Sequence, residues 1–114
     1  MAKHVLFLLK PGFNDEKGGP YFCPECAMVE GLLKYAPQIE SKLDIRRIDF
    51  PRPRKEIIGL IGDANQGCPV LVIAGDSAQP AEAKKSAETG KAFISGGTEI
   101  CEFLGKTFSV VRPH

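Results

Sequence analysis

Tryptophan is absent from the 114 residues, and histidine, tyrosine and methionine occur twice each. The two histidines, His4 and His114, stand at opposite ends with no patterned partner, so neither completes a zinc site. An excess of charge of one sign is also missing. The chain has 15 basic and 14 acidic residues, net +1, which argues against nucleic acid or a membrane surface as partner. Long hydrophobic runs are missing too. The apolar run near the start, Val5-Leu6-Phe7-Leu8-Leu9, is far too short for a spanning helix. It is short for a signal peptide as well, and no small-residue cleavage site follows it. The expectation is a soluble, cytoplasmic protein. With no internal repeat and no shift of composition, residues 1–114 are expected to form a single domain.

Glycine and proline are abundant, at 12 and 9, and they punctuate the chain clearly. His4 to Lys10 reads as a strand buried on both faces, because its apolar residues are contiguous. The loop from Pro11 to Phe22 is long for a strand-to-helix connection. Pro24 to Ala36 has helical spacing, with Pro24 suited to the first helical position and Pro37 stopping the helix. Leu43 to Phe50 alternates imperfectly, as an edge strand does. A second helix is expected at about Arg54 to Gly62, strands at Pro69 to Ala74 and Lys91 to Ser95, and a last helix at Glu99 to Phe108. Ala81 to Glu88 suits a solvated helical turn. The order β-α-β-α-β-β-α predicts a three-layer α/β sandwich around a four-stranded mixed sheet. Its first βαβ unit should be parallel and its last two strands antiparallel.

Four cysteines in a reducing compartment point to metal binding or redox chemistry rather than to structural disulfides. Cys23-Pro24-Glu25-Cys26 places two thiols on one helical face. Cys23 precedes the first helical residue, where free N–H groups and the helix dipole favour an anion and hence a thiolate. Half a zinc site, or two inert buried thiols, are the competing readings. Cys68-Pro69 opens a buried strand, where proline needs a special reason such as a cis peptide. Gly96-Gly97-Thr98-Glu99 reads as a tight turn into a helix capped by Thr98, or else as an anion-binding helix start. Cys101 suits a small buried hydrophobe. Arg46, Arg47, Arg52, Arg54 and Lys55 read as a solvated basic surface.

Together these motifs resemble the thioredoxin superfamily, closest to glutaredoxins, over nearly the whole chain. Tyr21-Phe22-Cys23-Pro24-Glu25-Cys26 is similar to the glutaredoxin dithiol motif. Asn65-Gln66-Gly67-Cys68-Pro69 resembles the cis-proline signature, and Gly96-Gly97-Thr98-Glu99 resembles the motif that holds the γ-glutamyl end of glutathione. The details are also similar to an uncharacterised bacterial thioredoxin-like family. The resemblance implies a thioredoxin-like fold, catalytic Cys23 and Cys26, and substrate contacts at Gln66, Cys68, Pro69, Gly97, Thr98 and Glu99. It implies no resident cofactor, with glutathione as a possible co-substrate and glutathione or protein disulfides as partners.

The chain departs from glutaredoxins in its long 11–22 loop, its expanded 75–90 turn, and Cys68 in place of threonine. The first expectation is therefore a thiol–disulfide oxidoreductase in which Cys23 attacks and Cys26 resolves. Metal or iron–sulfur binding through Cys23, Cys26 and Cys68 is the second. A non-catalytic thioredoxin-fold binding module is the third.

Overall fold

The contiguous apolar run of the N-terminal segment becomes an inner strand of a sheet in the computed structural model, which describes residues 2–114. Numbered in chain order, the elements begin with β1 (His4–Leu9), β2 (Phe13–Asp15), β3 (Gly18–Tyr21) and α1 (Pro24–Tyr35). A 3-10 turn at Pro37–Lys42 leads to β4 (Leu43–Ile48), α2 (Lys55–Ile61) and β5 (Val70–Val72). The chain continues through β6 (Lys84–Lys85) and β7 (Ala92–Ser95) to α3 (Gly97–Phe108). The sheet order is β4-β1-β5-β7-β6. β1 runs parallel to β4 and antiparallel to β5, and β7 runs antiparallel to both β5 and β6.

Period-two alternation sends neighbouring side chains to opposite faces and so builds three layers. Leu6 and Leu8 of β1, Leu71 of β5 and Ile94 of β7 pack with Val29 and Leu33 of α1 and with Ile100 and Leu104 of α3. Phe7, Val70, Val72 and Phe93 face the other way, onto Ile57 and Ile61 of α2. Each such side chain contributes about 1.5–3 kcal/mol when taken from water. The site-bearing helix α1 is thus fixed by the sheet beneath it and by α3 beside it on the same face.

The structure departs from the sequence expectations at three places. The sheet has five strands rather than four, because Lys84 and Lys85 pair with Phe93 and Ala92 at the β7 edge. A solvated helix was expected there, but a segment that short is marginal alone, whereas the open edge supplies ladder bonds. The 11–22 loop holds a hairpin, β2 with β3, in which Gly18 and Gly19 have positive φ. Finally, α3 starts at Gly97 with Gly96 (φ 99) as its cap, so Thr98 lies inside the first turn and is not the N-cap. Among the described residues no helix is long and apolar enough to cross a membrane.

Candidate active site

β1 ends beside the start of α1, and the two elements position the dithiol. Pro24 occupies the first turn, where its missing N–H costs nothing, and Cys23 precedes it in an extended conformation. The Cys23 Sγ accepts the Cys26 N–H at 3.2 Å, so a sulfur does the capping usually done by an oxygen. Cys23 is half-buried, whereas Cys26, one turn on, is 2% exposed. The Cys26 Sγ accepts the Leu9 N–H at 3.4 Å from the end of β1. Burial dominates its chemistry and holds its proton on well above the ordinary thiol range.

The cis peptide expected at Cys68–Pro69 is present, as are cis bonds at Gly19–Pro20 and Arg52–Pro53. The Cys68 carbonyl oxygen lies 3.8 Å from the Cys23 Sγ, so the strand start and the dithiol meet. Burial pushes the Cys68 thiol up to about 11, while the neighbouring Arg54 guanidinium pulls in the opposite direction. Pro69 is buried, and its carbonyl oxygen lies 3.4 Å from the Gly96 nitrogen that donates to it.

The remaining expected residues fall into two groups. Gln66 is buried and its side chain is spent within the protein. Its Oε1 accepts the Arg54 N–H at 2.8 Å, and its Nε2 donates to the Asp63 carbonyl at 3.0 Å. Gly97, Thr98 and Glu99 form the first turn of α3, against the dithiol turn. The Gly97 N–H donates to the Glu25 Oε1 at 2.8 Å. Glu25 thus directs its carboxylate to α3. Thr98 Oγ1 donates to Met28 Sδ at 3.7 Å, and Glu99 is exposed. Cys101 is 1% exposed, with burial pushing its thiol up to about 11, as suits a packing role.

Sequence reasoning missed Arg54. It stands in a run of basic residues that read as a solvated surface, yet its own exposure is 8%. Nε and Nη2 donate to the Phe50 carbonyl at 3.0 and 2.6 Å, and Nη1 donates to the Gln66 carbonyl at 2.8 Å. The guanidinium lies over the Phe50 ring, which stacks on Phe13 of β2 at 4.3 Å. The signal available in the sequence was the Phe50-Pro51-Arg52-Pro53-Arg54 segment, whose prolines and aromatic suit an anchored loop rather than a helix face. Among the described residues, no group of three or more His, Cys, Asp or Glu is placed to hold a metal ion.

Residues 3–112 match a family described as proteins of unknown function, DUF3088. The chain belongs to that family. The DUF3088 match takes in the dithiol, the Cys68–Pro69 bend and the whole of α3. No curated protein and no solved structure matches the chain. What distinguishes this DUF3088 site chemically is the pairing of one accessible sulfur at a helix start with one shielded sulfur a turn away. That is the arrangement dithiol–disulfide exchange requires.

Proposed function

We propose that this DUF3088 protein is a thiol–disulfide oxidoreductase of thioredoxin-like architecture, acting on glutathione-linked or protein disulfides in a reducing cytoplasm. The observation that carries the reading is the Cys26 N–H donated to the Cys23 Sγ at a proline-started helix, with Cys26 shielded behind it. The thioredoxin-like assignment is supported by the parallel β1–β4 pair and the antiparallel β5–β7 pair, with α1 and α3 on one face and α2 on the other.

The exchange follows from these positions. The Cys23 thiolate attacks one sulfur of a substrate disulfide, forming a mixed disulfide and releasing the other half as a thiolate. Cys26 then attacks the Cys23 sulfur, forming the Cys23–Cys26 disulfide and releasing the second half. Two electrons pass from the dithiol to the substrate, and the two thiol protons end on the two leaving thiolates. A thiol reductant such as glutathione returns the dithiol.

The test is equilibration of the full-length protein in glutathione redox buffers, followed by acid quenching and peptide mapping. A Cys23–Cys26 disulfide with a potential of about −270 to −200 mV, the span of thioredoxin and glutaredoxins, is expected. Absence of any Cys23–Cys26 disulfide across the buffer series would overturn the reading.

A further inference from the structure

Cys68 takes no part in the exchange described above, yet it adjoins the attacking sulfur. Its carbonyl oxygen is 3.8 Å from the Cys23 Sγ, and its Cα is two bonds from that oxygen. The half-buried side chain packs where the two core clusters meet. A disulfide requires Cα atoms within about 4.4–6.8 Å. The Cys23 sulfur already lies against the Cys68 backbone, and closing the bond calls for the Cys68 side chain to turn toward it.

The second observation is Arg54. A guanidinium this deeply buried is normally matched by a carboxylate, because an uncompensated buried charge is costly. Arg54 has backbone carbonyls and the Phe50 ring for company, but no carboxylate partner among the described residues. Its guanidinium is held on the Gln66 carbonyl, two residues before Cys68, and favours a Cys68 thiolate against the larger effect of burial, which keeps the thiol protonated up to about 11. No cation plays this part for Cys26, whose sulfur has one backbone N–H donor from Leu9. Arg54 is therefore placed as the counter-ion of a Cys68 thiolate.

We propose that Cys68 is a second resolving thiol, which closes a Cys23–Cys68 disulfide with Arg54 as its positioning residue. The inference rests on Cys23 being the attacking thiol, as argued above. In this step the Cys68 thiolate attacks the Cys23 sulfur of a mixed disulfide. The bond from Cys23 to the substrate sulfur breaks, and its electron pair leaves with the substrate thiolate. That thiolate takes up the proton Cys68 has lost. Cys26 can then attack Cys23 in turn and return Cys68 as a thiolate next to Arg54.

The experiment uses the full chain and 5,5′-dithiobis(2-nitrobenzoic acid) as the disulfide probe, under native conditions with acid quenching and peptide mapping. Wild type, Cys26→Ala, and Cys26→Ala combined with Cys68→Ser are compared. The expected result for Cys26→Ala is release of a second equivalent of thionitrobenzoate and a Cys23–Cys68 linked peptide. The double variant should stop at the Cys23 adduct. A stable Cys23 adduct in Cys26→Ala, while wild type closes Cys23–Cys26, overturns the role of Cys68 and leaves the oxidoreductase reading standing. No adduct at Cys23 in wild type overturns both. Should Cys26→Ala not fold, Cys26→Ser keeps an acceptor for the Leu9 N–H and gives the same readout. Adding Arg54→Met to Cys26→Ala should slow the second release about threefold or more, with Arg54→Lys restoring part of it. A rate unchanged by Arg54→Met overturns the positioning role.

Discussion

The Glu25 carboxylate, from one of the two residues between the dithiol cysteines, accepts the Gly97 N–H at 2.8 Å and ties the start of α1 to the start of α3. The backbones are equally close. A Cβ on Gly97 would lie 2.8 Å from the Glu25 carbonyl oxygen and 3.2 Å from its Cα. Neither atom belongs to a flexible side-chain end, so the helices themselves would have to separate. Gly97→Ala is therefore expected to cost about 1–3 kcal/mol, read as a lower denaturant midpoint. Glu25→Ala removes only the hydrogen bond and should cost about 0.5–1.5 kcal/mol. A Gly97→Ala midpoint equal to wild type would show that the two helix starts are not in contact.

The main elements were legible in the sequence because their signals are local. β1 shows as a contiguous apolar run, α1 as a proline-bounded helical stripe, and β4 as an edge strand of weak alternation. The missed features depend on partners distant in sequence. Lys84 and Lys85 form a strand only because Phe93 and Ala92 present an open edge. Arg54 is buried only because Phe50 and Gln66 turn their carbonyls toward it, and no pattern of charges announces that. Thr98 looked like the better cap by residue type, but the close approach at Gly97 set the helix start two residues earlier. The dithiol itself was readable, since its spacing and its proline both act within one helical turn.

Arg54 should matter for stability well beyond an ordinary surface arginine. Arg54→Met removes donors from the Phe50 and Gln66 carbonyls and uncouples the loop from the Phe50–Phe13 stack. An unfavourable change of about 1–3 kcal/mol per buried group left unpaired is expected from urea unfolding. Arg52→Met, at an exposed neighbour, should change stability by about 0.5 kcal/mol or less. Equal effects at the two positions would contradict the buried placement of Arg54.

His4 gives the protein a pH dependence on the acid side. Its Nδ1 accepts the Ala74 N–H at 2.8 Å, so the neutral ring must carry its proton on Nε2. Burial lowers its pKa below the ordinary 6.5, with Asp76 opposing. The unfolded chain thus takes up the proton first as pH falls. The contribution of His4 is complete above 6.5 and is lost as pH drops through the lower folded value. Urea midpoints should decline over this range in wild type and decline less in His4→Gln. Nitrogen-15 chemical shifts that place the proton on Nδ1 would refute the assignment.

The four cysteines should separate by reactivity in native, reduced protein. Cys23 is half-buried, with its sulfur at the helix start, so iodoacetamide should modify it first near neutral pH. Toward external iodoacetamide, unlike a disulfide already held at Cys23, Cys68 and Cys101, each pushed up to about 11 by burial, should react only as the solution becomes strongly alkaline. Cys26, 2% exposed and held protonated above the ordinary range, should be the last. The same raised values carry a stability consequence of opposite sign to that of His4. The unfolded chain gives up these thiol protons at about pH 8.5, before the folded chain does. The buried thiols therefore add stability that is complete below that value and lost as pH rises through the folded values toward about 11. Peptide-resolved labelling across a pH series checks the order, and urea midpoints on the same series check the alkaline decline. If Cys26 is labelled before Cys23, the thiol at the helix start is not the nucleophile, and the exchange proposed for this site loses its first step.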